Sequence, residues 1–237
     1  MPRISVANIP IEVVRKDIKH LHLGVYPPEG RVRISAPLRF SSETIRLFAV
    51  SRIVWIKKQK LKFAGQERQP RRDYVSGESH YFQGKRYLLS VAEQDAPPKV
   101  NIRRKAYIDL YVRPGSPKIK RQEVLNIWYR TQLKAIVPDL IAKWQKIIGV
   151  QVADWGIKAM RTRWGTCNSK TKRIWLNLEL AKKPVYLLEY ILVHEMVHLL
   201  ERHHGQAFIA HMDKLVPRWP AYKQELNKTI LGHVDWN

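Results

Sequence analysis

The segment "PVYLLEYILVHEMVHLLERHH", residues 184–204, constrains this chain more than any other. It reads as one strongly apolar helix, with Pro184 at its start and Gly205 just past its end as the expected punctuation. Such a helix has to be buried, and histidines on it are costly unless they find partners. His194 and His198 stand four residues apart, one turn along the same face. Their ring nitrogens are therefore close enough to share one ion. Glu195 follows the first histidine by about 100° around the helix. It is placed to hold a water beside a metal rather than to bind the metal. The competing reading is a pair of core histidines hydrogen-bonded to backbone. A chance H-E-x-x-H is expected only roughly 0.02 times in a chain this long, and this one falls on the apolar helix that the motif requires.

A zinc ion that does chemistry takes three protein ligands and keeps one position open for water. His204 is the candidate third ligand. On an unbroken helix it would sit about 9 Å further along the axis and could not reach. The helix must therefore end near Arg202 and the chain must fold back, which Gly205 permits. His203 is the rival, and His211 on the next helix is a second. Cys167 as a fourth ligand would close the open position. With such a site the metal lowers the pKa of its water toward ~7, and Glu195 takes the proton.

Charge is the other unusual feature. Lys and Arg number 43 against 20 Asp and Glu, a net +23. Such a field draws polyanions, so nucleic acid or nucleotide phosphate is a candidate partner. The basic residues are spread along the whole chain rather than gathered in a tail, which slightly favours an inert basic surface. At 237 residues the chain can bury a real core without disulfides. The single cysteine excludes an internal disulfide and suits a reducing compartment. No stretch approaches the ~20 apolar residues of a membrane helix, and no signal peptide opens the chain. The expectation is a soluble cytoplasmic protein with no membrane partner.

No internal repeat is visible. Residues 3–37 are β-rich, with "HLHLGVYP" and "RVRISAP" alternating about the turn "PPEG". One helix follows from Ser41 or Ser42 through "RIVWIKKQKLKF", and residues 65–77 read as a loop or linker. "HYFQGKRYLLSV" reads as a hairpin turning at Gln83-Gly84, and "KAYIDLYV" as a strand. Pro117 opens a long helix that Pro138 should kink or split. "VADWGIKAM", "TRWGTC" and "RIWLNL" read as strands, and helices follow. Strands dominate the first half and helices the second, which is α+β order. The chain reads as a β-rich part with one helix, 1–115, and a helix-rich core, 116–237, together forming one continuous domain.

The blocks "RTRWGTCNSK", "IWLNLELAKKP" and "YILVHEMVHLLERHHGQAF", in that order over residues 161–208, resemble the YgjP-like metallopeptidases, relatives of the SprT-like and WLM zinc proteases. "GVYPPEGRVRISAP" and "WIKKQ" extend the resemblance over most of the chain. It implies a zincin-like (minigluzincin) core, with the H-E-x-x-H helix beneath a small sheet. It implies His194, His198 and His204 as ligands of one zinc per chain, and Glu195 as general base. Relatives commonly have Asn before the third histidine, where this chain has His203. In zincins a strand beside the metal often takes an extended substrate as an added strand. Trp164 to Cys167, or Ile174 to Asn177, would supply that edge, and Arg161 and Arg163 would clamp a carboxylate or phosphate. The alternative for the two tryptophans and Cys167 is simple core packing. The alternative for the arginines is solvated surface charge.

The expected activity is zinc-dependent cleavage of peptides or proteins. The SprT-like relatives act on DNA-bound proteins, which the charge would suit. A nucleoside triphosphate pyrophosphohydrolase is the alternative enzyme, although no phosphate-cradling Gly-rich loop is visible. A nucleic-acid-binding protein with a structural zinc is the third reading, and an intact Glu195 argues against it.

Overall fold

The structure is a computed structural model that describes residues 3–26, 29–64, 72–160 and 162–228. It is a mixed α+β architecture of small mixed sheets and helices. The chain forms two compact units, Met1–Arg68 and Gln69–Asn237.

The first unit has four strands, β1 (Arg3–Val6), β2 (Ile9–Lys16), β3 (His22–Tyr26) and β4 (Arg31–Pro37). They lie in the order β1-β2-β4-β3; the inner pair is parallel and both outer pairs are antiparallel. The expected single helix is two, α1 (Ser42–Ser51) and α2 (Ile53–Ala64), broken at Arg52, the C-cap of α1. Ser41 caps α1 by accepting the Thr44 backbone N–H at 3.1 Å. Ile11, Val32, Ile34 and Ala36 from the inner strands meet Ile45, Ala49 and Ile56 in a core of their own.

The second unit begins with the same arrangement. Strands β5 (Ser79–Phe82), β6 (Lys85–Glu93), β7 (Lys99–Arg103) and β8 (Tyr107–Val112) lie in the order β5-β6-β8-β7, again parallel inside and antiparallel outside. A constant shift of 76 residues relates the two sheets: Val6, Ile11, Val13, Val32, Ile34 and Ala36 correspond to Phe82, Tyr87, Leu89, Ile108, Leu110 and Val112, all buried. The hairpin turns correspond too, Ala7-Asn8 with φ 48° and 60°, Gln83-Gly84 with φ 47° and 80°. Positive φ at both central residues matches the twist of a two-residue hairpin. The inner pair differs in register by two residues, since Val32 faces Ile11 whereas Ile108 faces Leu89. The chain therefore contains a repeated ββββα module that its sequence hides. None of the six corresponding core residues is identical, so apolar burial is kept while residue type is not.

Helix α3 (Lys118–Ile148) runs unbroken through Pro138. Leu125, Tyr129, Leu133, Val137 and Ile141 recur every fourth residue and are buried, and this packing on both sides of the proline outweighs the one lost backbone bond. A three-stranded sheet follows, β9 (Asp154–Lys158), β10 (Gly165–Asn168) and β11 (Arg173–Asn177), in the order β10-β11-β9. Helices α4 (Val185–Val197), α5 (Gln206–Leu215) and α6 (Trp219–Lys228) complete the unit. The tip of the β5–β6 hairpin grips the segment leading into α4. Gln83 N–H donates to the Ala181 carbonyl at 2.9 Å and Gly84 N–H to that of Lys182 at 3.2 Å. Among the described residues no helix is long and apolar enough to cross a membrane.

Candidate metal centre

Helix α4 is buried on almost every side: Leu188, Leu192, Val193, Met196 and Val197 are at most 1% exposed. A helix packed on most sides holds its polar side chains in fixed directions, and Tyr190, His194, Glu195 and His198 all face one cleft. α4 stops at Val197 rather than near Arg202, and His198 is its C-cap. Leu199, Leu200 and Glu201 close it with tight backbone bonds to Met196 and Val197 carbonyls. The chain then reverses through 202–205, bringing His204 back. Gly205 does not make this turn by a left-handed conformation: its φ is −80° and its ψ −171°, ordinary extended backbone ahead of α5.

His194, His198 and His204 each offer one ring nitrogen, and these atoms lie within 4.8 Å of one another. The Nε2 atoms of His204 and His194 are 3.1 Å apart. Two imidazole nitrogens on a common tetrahedral zinc are separated by roughly 3.3 Å, so the cluster fits such an ion with little adjustment. The Nδ1 of His198 is 3.0 Å from the Glu201 carbonyl. A proton on that nitrogen donates to the carbonyl and leaves Nε2 with its lone pair free for a metal. Phe208 on α5 backs all three rings, with centroid separations of 5.0, 4.8 and 4.6 Å. The two rivals lie elsewhere. His203 is outside the cluster, and His211 lines a separate groove with Trp144, Ile147 and Leu215.

Burial, reinforced by the other two histidines, pushes His194 down to about 3, so its ring stays neutral and able to ligate. His204 is lowered in the same way, by burial and then by His198. Glu195 is 6% exposed, and burial raises it to about 8 against an opposing pull from Arg163. A divalent cation beside it would favour the ionised form again.

Strand β10 forms the opposite wall. A Cβ on Gly165 would lie 2.7 Å from Glu195 Cγ and Oε1, so only a glycine lets the carboxylate sit this close to the strand. Sequence reasoning did not single out Gly165 or Phe208. A glycine inside a strand is the usual sign of close approach, and the signal was there in "WGTC". The cleft between α4 and β10 has a volume of about 770 Å³.

The other expected site residues divide. Arg163 and Trp164 line this cleft, as do Thr166 and Cys167. Burial, then Glu195, pushes the Cys167 thiol up to about 11, which makes it a poor partner for an ion, and it lies outside the histidine cluster. Strand β11 is central, bonded to β10 on one side and β9 on the other, so Ile174 to Asn177 offers no free edge. Ile174 is fully buried core. Asn177 is also fully buried, and its Nδ2 donates to the Met160 and Arg163 carbonyls at 2.8 and 2.7 Å. It fixes the loop before β10 and faces no substrate. The sheet's edges are β10 and β9, and β10 is the one that lines the cleft. Trp175 is neither core nor cleft: it lies under Lys158 and Arg173, at 4.6 and 4.8 Å. Arg161 lies outside the described residues.

No curated protein matches the chain. It is similar to the crystal structure of the metallopeptidase zymogen abylysin of Pyrococcus abyssi, at 23% identity and a TM-score of 0.36, over 38% of this chain and 91% of that one. It is also similar to the zymogen of jannalysin of Methanocaldococcus jannaschii, at 20% identity and a TM-score of 0.35, over 38% and 92%. The family model described as "YgjP-like, metallopeptidase domain" matches residues 20–229, most of both units. The chain belongs to the YgjP-like metallopeptidase family.

Proposed function

We propose that this protein is a zinc-dependent metallopeptidase whose metal is held by His194, His198 and His204 and whose general base is Glu195. The observation that carries the reading is the convergence of three imidazoles from a helix end and the following turn, with one buried carboxylate beside them, on an open cleft. Zinc is favoured because three imidazoles and an open position suit it. When bound, it supplies Lewis acidity toward a carbonyl oxygen and acidifies water. Glu195 accepts the water's proton and delivers one to the leaving amine. Strand β10 takes the extended substrate as an added strand, leaving the scissile bond facing α4. The reading places the chain's core, residues 116–237, in the zincin-like class, with α4 packed against the small β9–β11 sheet. A cytoplasmic setting goes with it, since the one cysteine, Cys167, is free.

Elemental analysis of purified protein, with His204→Ala and Glu195→Gln in parallel, tests it. The expected result is about one zinc per chain in the wild type and in Glu195→Gln, and a sharp loss in His204→Ala. Peptide hydrolysis should fall about 10²–10⁴-fold in Glu195→Gln despite the retained metal. Wild type that takes up no metal, even with zinc added, would sink the proposal.

A further inference from the structure

The walls of the cleft carry an unbalanced charge. Its lining includes the cations Arg163, Lys170 and Arg202, and Glu195 is its one carboxylate. None of these cations belongs to an ion pair among the described residues. Some neighbouring cations are paired, Arg173 with Asp154 at 2.6 Å and Lys182 with Glu179 at 2.7 Å, whereas Lys183, 5.6 Å from the Trp164 ring, is in no ion pair among the described residues. Unpaired cations occur elsewhere on this basic chain as well; what sets these three apart is that they line one cleft whose only carboxylate is Glu195.

Arg163 is also held in place. Its carbonyl accepts from the fully buried Asn177 at 2.7 Å, while its exposed side chain lines the cleft and acts on Glu195. It stands two residues before β10, and Lys170 stands two residues after it. Arg202 comes from the other wall, in the turn between His198 and His204. An extended chain laid along β10 advances about 3.3 Å per residue. Cations at both ends of the strand and across from it thus face residues on either side of the bond presented to Glu195. Each gains a partner from an aspartate or glutamate and repels a lysine or arginine.

We infer that Arg163, Lys170 and Arg202 make the cleft a recognition site for acidic polypeptide segments. As a statement about substrates this rests on the metallopeptidase reading; as a statement about binding it stands apart from it. The test uses the full-length Glu195→Gln chain and dye-labelled peptides of one sequence carrying Glu, Gln or Lys at four positions. Anisotropy is read at physiological salt, where long-range attraction is screened. The Glu peptide should bind at least about 10-fold tighter than the Lys peptide, with Gln between. Adding Arg163→Gln and Arg202→Gln should shrink that preference to within about 3-fold. Arg46→Gln with Lys57→Gln, the same change in net charge on exposed helix positions of the first unit, should leave it intact. Equal binding of all three peptides overturns the inference. So does a preference that survives loss of both arginines, or a nucleoside triphosphate that depends on them while the peptides do not. The same peptides given to the zinc-supplemented wild type separate the two claims. Cleavage indifferent to charge removes the acidic recognition and leaves the peptidase. Selective binding without any cleavage removes the peptidase and leaves the recognition.

Discussion

The two four-stranded sheets share strand order, strand polarity and hairpin turns, yet they are put to different uses. The first closes on α1 and α2 and fills its own small core, residues 6–56. The second shares a continuous core with α3, α4 and α5, so Leu110 belongs to the same cluster as Val193, Met196 and Phe208. The difference starts at the helix. α1 ends at Ser51, whereas α3 continues for 31 residues and carries its apolar stripe past the sheet to Trp144. One topology thus serves as a self-contained unit in one place and as the backing of the candidate site in the other. Position within a fold does not set function; what the module's helix and hairpin go on to touch does.

Truncating the same core position in both modules is the strongest way to break this contrast. Ile34 and Leu110 occupy corresponding places on β4 and β8, and both are fully buried. Changing either to alanine should cost about 2–5 kcal/mol, a lost side chain plus an unfilled cavity. Hydrogen exchange read by mass spectrometry should place each loss in its own unit. Metal retention should separate them: Leu110→Ala weakens it and Ile34→Ala does not. If Ile34→Ala strips the metal as readily, the first module is no bystander to the site.

Acid should distinguish the modules next. His80 on β5 stands where the first module has Ile4, and it is 1% exposed. Burial, with help from Arg72, pushes it down to about 4 despite a 3.3 Å contact with Glu78. The unfolded chain takes up this proton near the ordinary histidine value of 6.5, and the folded chain only near 4. Stability is therefore whole above pH 6.5 and is lost progressively down to about 4, by up to ~3 kcal/mol. His80→Ile, which copies the first module, should flatten the slope of urea-unfolding stability across that window. An unchanged slope would mean that His80 is not buried neutral.

The candidate site was far more legible than the framework. His194, Glu195 and His198 follow from one helical turn, and His204 from the need for a third ligand and a chain reversal. Gly165 and Phe208 were not singled out because their roles lie in what they approach, and proximity across elements is not written in local spacing. Ile174 and Asn177 were misplaced for a related reason: alternation marks a strand but does not say whether it is central or at an edge. The repeated module was invisible because Val6 and Phe82, or Ala36 and Val112, keep only their apolar character. The continuity through Pro138 runs against simple helix rules because the buried stripe from Leu125 to Ile141 packs on both sides of it, and no local signal marks the break at Arg52.

The smallest effect expected is at the hairpin tips, and it tests the contrast most finely. Asn8 and Gly84 both follow the first turn residue with positive φ, 60° and 80°. A side chain there costs about 1–2 kcal/mol, less for asparagine, whose polar group tolerates the left-handed region. Asn8→Ala should thus cost about 1 kcal/mol or less, confined to the first unit. Gly84→Ala meets a second obstacle. Its Cβ would lie 2.5 Å from Pro184 Cγ and 3.1 Å from Pro184 N, and a backbone atom cannot swing aside. Pro184 is the N-cap of α4, so relief of that clash must shift the helix that carries His194 and Glu195. The expected cost is about 1–3 kcal/mol, together with weaker zinc retention by equilibrium dialysis. Asn8→Ala should leave zinc retention alone. Were the two substitutions to cost the same and leave the metal equally well held, the second hairpin would be only a turn, and the grip of Gln83 and Gly84 on residues 181–182 would have no part in placing the site.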